Sequence, residues 1–163
     1  MSAFLYTLGL HTRYTTDEVQ EKLCRLLGIT RIDEVTNYWP ALEIRADGVI
    51  DSLSREFWKD YLGTAATMEV HYFVDVKTDW EEARRAYIAM AVSVAKLTHE
   101  TDALAMMTSE PGSLTMRRTN GVLYLYEQFG RWRDPEVVAQ LPEPWILTDD
   151  IDAGIPEGAI PFR

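Results

Sequence analysis

Hydrophobic and polar positions alternate most cleanly over Met68–Val76. Met68, Val70, Tyr72, Val74 and Val76 fall on one side, and Glu69, His71, Phe73 and Asp75 on the other. Period two marks a strand with one buried face. The pattern then changes to intervals of three and four, at Trp80, Ala83, Tyr87, Met90, Val94 and Leu97. This predicts a helix over Thr78–Leu97, opened by a Thr78-x-x-Glu81 capping box. No charge falls between Ala86 and Ala95, so the middle of that helix is expected to be buried on most sides and to form the spine of the core.

The other elements follow the same logic. Phe4–Leu10 reads as a strand. Thr15 or Thr16 caps a helix running to Leu27, with Asp17 and Glu18 in its first turn and Gly28 as its stop. Leu42–Arg45 and Val49–Leu53 read as a hairpin turning at Asp47-Gly48. Ser54–Leu62 reads as a short helix anchored by Phe57, Trp58 and Tyr61. Asp102–Ser109, Leu114–Thr119 and Val122–Phe129 form a meander through Pro111-Gly112 and Asn120-Gly121. Asp134-Pro135 starts a short helix. Pro142–Arg163, with four prolines, is expected to pack along the body on Trp145, Ile146 and Leu147.

The expected fold is therefore α+β: a mainly antiparallel sheet packed against one long central helix with smaller flanking helices. A length of 163 residues suits one domain spanning 1–163, with 142–163 as a proline-rich C-terminal extension.

Charge and cysteine content narrow the partners. The net charge of −10 disfavours nucleic acid, whose affinity rests on Lys and Arg, and draws in a basic partner. A single cysteine, Cys24, allows no internal disulfide. The apolar run Ala3–Leu10 is not preceded by a basic residue, as a secretory signal would be. Ala86–Ala95 is too short for the roughly 20 apolar residues of a membrane span. The expected compartment is the cytoplasm, with no membrane partner.

The sequence contains no G-x-G-x-x-G or G-K-[ST] loop, no G-x-S-x-G elbow and no paired histidine ligands, so no catalytic, cofactor or metal residue is assigned. Three weaker features remain. Glu69, His71 and Asp75 share a strand side and could contribute to a metal or acid–base site; the plainer alternative is a solvent-facing polar row. Asp75-Val76-Lys77 matches half of a metal-dependent nuclease motif, or simply ends a strand. Asp149, Asp150 and Asp152 form an acidic run beside Trp145, and these four are the candidate partner-binding residues. A basic protein contact and a divalent ion are alternatives to an unengaged acidic tail there. The basic clusters Arg117-Arg118 and Arg131-Trp132-Arg133 read more readily as solvated than as ligand-binding, and a pairing of Arg131 or Arg133 with an aromatic ring would be an ordinary structural use.

The stretch from about Met68 to Leu147 carries a further pattern: "MEVHYFVDVK", "DWEEARRAYIAMAVSVAKL", "DALAMM", "TMRRTNGVLYLYEQF" and "PEVVAQLPEPWIL". Its points are the capped helix, Asp102-Ala103, and Arg117-Arg118 before the Asn-Gly turn into Val122–Leu125. In this order it resembles the immunity proteins of the myxobacterial swarming-inhibition polymorphic toxins. The resemblance covers about half the chain. It implies a cytoplasmic, non-enzymatic antitoxin that binds and neutralises a cognate toxin, and it carries over no catalytic residue. The alternatives are a small non-catalytic accessory or ligand-binding domain without a toxin partner and, third, an enzyme using the Glu69/His71/Asp75 face.

Overall fold

A computed structural model describes residues 3–30, 36–49, 51–77, 79–110 and 112–163. In chain order the elements are β1 (Ala3–His11), α1 (Thr16–Leu27), β2 (Thr36–Trp39), β3 (Leu42–Gly48), α2 (Ser52–Leu62), β4 (Met68–Asp75), α3 (Trp80–Glu100), β5 (Leu104–Ser109), β6 (Ser113–Thr119) and β7 (Val122–Tyr126). A 3₁₀ turn (Gly130–Arg133), the single helical turn α4 (Pro135–Val138) and β8 (Trp145–Thr148) complete the chain. Among the described residues the strands form one eight-stranded sheet in the order β2-β3-β4-β1-β5-β6-β7-β8. Neighbours run antiparallel except β7 and β8, which are parallel. The α+β architecture, a mostly antiparallel sheet with one long helix packed against it, is the one the residue pattern predicts.

The main core lies between the sheet and α1, α3 and α4. Leu8, Leu10, Ile44, Val70, Tyr72, Val74, Ala105, Met107 and Leu125 meet Val19, Leu23, Met90, Val94, Leu97 and Val137 there. The β4 alternation holds from Met68 to Val74, with Val76 only half-buried beyond the strand end. The uncharged middle of α3 is buried as expected, including Ala86, Met90, Ala91, Val94 and Ala95. In α1, Thr15 and Glu18 form a reciprocal capping box, and Gly28 closes the helix at φ 65°.

Four expectations fail, each for a local reason. The α3 cap is Asp79, whose side chain accepts from the Glu82 amide; Thr78 lies outside the described residues. Trp80 is 75% exposed, because the first turn of α3 reaches past the core before packing begins. Asp47-Gly48 is not a hairpin turn but the end of β3. The hairpin joins β2 to β3 at Pro40-Ala41, with Ala41 at φ 61°, a conformation that costs an alanine about 1 kcal/mol. Val49 and Asp51–Leu53 are not in a strand either, and Ile50 lies outside the described residues. Asp51 is the N-cap of α2, accepting from the Ser54 amide at 2.8 Å.

The opposite face of the sheet has its own, smaller core. Here Trp58 and Leu62 of α2 pack with Met106, Leu114, Tyr126 and Phe162. The C-terminal segment runs back along α2, with the Ile160 amide donating to the Asp60 carbonyl at 2.8 Å. The sheet is thus covered by helices on one face and by α2 plus the last residues of the chain on the other. Asn120-Gly121 turns with both residues at positive φ, 52° and 79°, as its hairpin signal predicts.

Candidate functional site

The polar side of β4 faces α2. Trp58 seats its ring directly on β1, where Gly9 leaves room: a Cβ at residue 9 would lie 2.5 Å from the indole. This close approach lets the Trp58 Nε1 donate to Glu69 Oε2 at 2.8 Å. His71 comes next along the strand. Its Nδ1 lies 3.4 Å from Thr7 Oγ1, and its Nε2 lies 3.9 Å from both Glu69 Oε1 and Asp47 Oδ2. Asp47 in turn meets Arg45 Nε at 3.1 Å, and the Arg45 guanidinium lies 5.9 Å from the centre of the Phe73 ring.

The structure therefore brings together Glu69 and His71 but puts Asp47 of β3, not Asp75, beside them. Asp75 sits exposed at the strand end, where its Oδ1 accepts from the Lys77 amide at 2.9 Å. The Asp75-Val76-Lys77 motif is thus a local turn. Two carboxylates flank the imidazole at a distance beyond direct hydrogen bonding. Among the described residues, no group of three or more histidine, cysteine or carboxylate side chains is placed to hold a metal ion.

The four tail candidates take different positions. Trp145 is half-buried against the main core, paired across from Leu123. Asp149 and Asp150 are exposed just beyond β8. Asp152 is bound to Arg163 at 3.0 Å, and that guanidinium holds its carboxyl below the ordinary range. The exposed apolar side chain here is Ile146, 47% accessible on the sheet's last strand, which the sequence reading used only as a packing anchor.

The same turn covers Arg117, which is fully buried. Arg117 Nη1 donates to the Ile151 carbonyl at 2.6 Å and to the Tyr126 hydroxyl at 3.1 Å, and Tyr126 donates onward to the Ala153 carbonyl. Its Nε and Nη2 have no partner among the described residues. A buried cation without a bound carboxylate is costly, and backbone carbonyls together with nearby acidic charge compensate for it. The Arg117 charge also helps to hold the Asp152 carboxyl low, after the larger effect of Arg163. Part of the acidic tail therefore balances a charge inside the protein.

The remaining basic residues singled out from the sequence also serve the fold. Arg118 is bound to Asp102 Oδ1 at 3.1 Å and to the Ala103 carbonyl at 3.2 Å, joining two of the points that carry the resemblance. Arg131 lies 4.6 Å from the centre of the Tyr87 ring, an ordinary structural use of such a residue, and Arg133 instead pairs with Glu127 at 2.7 Å. No protein-family model, no curated protein and no solved structure matches the chain. Among the described residues, no helix is long and apolar enough to cross a membrane.

Proposed function

We propose that this chain is an immunity protein that binds a basic cognate toxin and neutralises it by occupying its surface. The observation that supports this most directly is the end of the sheet at β8, the last strand in the order among the described residues. Ile146 is exposed there, and Asp149 and Asp150 follow at once with no cation bound to either among the described residues. An apolar contact flanked by exposed carboxylates on the last strand suits a basic protein surface, even though Asp150 Oδ1 also accepts from the Asp152 amide at 2.9 Å. The apolar residue holds the complex and the charges speed encounter. The net charge of −10 acts in the same direction at longer range. The resemblance of the Met68–Leu147 pattern to polymorphic-toxin immunity proteins supports the same reading.

The test is association kinetics with the product of the adjacent gene. Asp149→Asn with Asp150→Asn is expected to slow association several-fold at low salt and to flatten its salt dependence. Ile146→Ser is expected chiefly to raise the dissociation rate. Trp145→Ala is expected to lower the melting temperature, because its ring packs on the core. Binding that is indifferent to both salt and these substitutions would remove the β8 edge from the reading; absence of binding would remove the toxin.

A further inference from the structure

A cleft of about 360 Å³ opens beside Trp58, bounded by Thr7, Leu53, Phe57, Glu69, Glu110 and Phe162. It lies between α2, the polar side of β1 and β4, and the end of β5, away from the β8 edge. Its composition is unusual for a surface of mixed charge: two carboxylates and two phenyl rings line it, and among the described residues no lysine or arginine does.

The state of Glu69 gives the cleft a chemical direction. Its side chain is only 15% exposed. One oxygen is fixed by the Trp58 indole at 2.8 Å. The other makes no hydrogen bond among the described residues and faces the His71 imidazole at 3.9 Å. A carboxylate shielded from most of the solvent, oriented by one donor and with its second oxygen still open to accept, favours a charge-assisted hydrogen bond from a cation. Phe57 and Phe162, which meet edge-to-face with ring centres 6.5 Å apart, give the cleft an aromatic wall against which an aliphatic stem can pack. Leu53, 77% exposed at the mouth, extends the apolar wall.

We infer that this cleft binds an arginine-like cation, a guanidinium on a short aliphatic stem, with Glu69 as the main anion and Glu110 as the second. Lysine-type ammonium groups fit the same charge but lack the planar fork that engages two acceptors at once. The site stands independently of the β8 edge and of the toxin reading. The guanidinium can come from a free small molecule or from a side chain on another protein, and two probes separate these sources.

Arginine amide and the peptide Gly-Arg-Gly are titrated into the isotope-labelled full chain and followed by amide and indole NMR shifts, with citrulline amide as the neutral analogue. Arginine amide is expected to shift the Trp58 indole signal and the Thr7 and Glu110 amides, and citrulline amide to bind at least tenfold more weakly. Glu69→Gln keeps an acceptor for the indole and is expected to weaken binding at least tenfold. Glu110→Gln, on an exposed residue, is expected to weaken it several-fold and keeps the test decisive if the Glu69 variant folds poorly. Tighter binding of the peptide assigns the cleft to a protein side chain, and tighter binding of arginine amide to a free ligand. Equal binding of arginine and citrulline amides, no binding of either probe, or shifts confined to other parts of the protein overturns the assignment.

Discussion

Replacing Gly9 by alanine tests the packing on which the polar face depends. The added Cβ would meet Trp58 Cε3 and Cζ3 at 2.5 Å and Cδ2 at 2.6 Å. Carbon atoms rest at about 3.5–4.0 Å, so the ring must move by roughly 1 Å. It is held on the other side by Phe57, at 4.8 Å between ring centres, and by the 2.8 Å bond to Glu69. Overpacking of this kind costs about 1–3 kcal/mol, and a stretched buried indole bond adds about 1–3 kcal/mol. Gly9→Ala should therefore cost about 2–6 kcal/mol. Trp58→Leu, which removes the ring, should cost somewhat less than the about 3–5 kcal/mol of a Trp→Ala change. In the Trp58→Leu background the clash is gone, and Gly9→Ala should be neutral or should stabilise the strand by up to about 1 kcal/mol. Urea denaturation followed by circular dichroism gives all four stabilities, compared at unchanged m. The double-mutant coupling should be at least about 2 kcal/mol; additivity to within about 0.5 kcal/mol would refute the proposed seating of the ring.

Three other outcomes follow from the same structure. Val94→Ala and Met90→Ala, both fully buried in α3, should each cost about 2–4 kcal/mol in urea denaturation, whereas Trp80→Ala on the exposed first turn should stay within about 0.5 kcal/mol. Arg117→Ala removes the donor from the Ile151 carbonyl and the Tyr126 hydroxyl and should cost about 3 kcal/mol, with faster proteolysis in the tail. Arg163 depresses the Asp152 carboxyl below its ordinary 3.8, so the contribution of this pair is present above that value and is lost as pH falls through the depressed one. Amide exchange around residues 150–153 should accelerate only in that acid range, and Arg163→Gln should abolish the transition.

The residue pattern revealed those parts of the fold whose causes are local. The β4 alternation, the Thr15 cap with Asp17 and Glu18 in the first turn, and the Asn120-Gly121 turn each lie within a few consecutive residues, and each appears as expected. β2 escaped because Thr36–Trp39 shows no alternation and its turn uses Ala41, which carries no turn signal. Asp51 and Ser52 fall within the expected Val49–Leu53 strand because an N-cap and a weak strand share the same residue types. At the candidate site, strand periodicity was enough to put Glu69 and His71 on one side. Asp47 and Trp58 reach them only through β3–β4 pairing and the docking of α2, contacts that no short spacing encodes. Arg117 was legible as a basic residue near a turn, but its burial depends on a tail more than thirty residues further along.

The central position of β1 has a consequence for synthesis on the ribosome. β1 pairs with β4 on one edge and β5 on the other, so both partners emerge long after it. β1 ends at His11 and β4 ends at Asp75. At about 5–20 residues per second, the nascent strand therefore waits roughly 3–13 s before its first partner is complete. Throughout that interval an apolar strand has both hydrogen-bonding edges open, the state in which chains associate wrongly. Long-range pairing of this kind also folds slowly, because the loops must close before any contact rewards them. The rate at which competent molecules accumulate in a cell is thus set by translation and by chaperones that shield the waiting strand, and only later by the rapid formation of the helices.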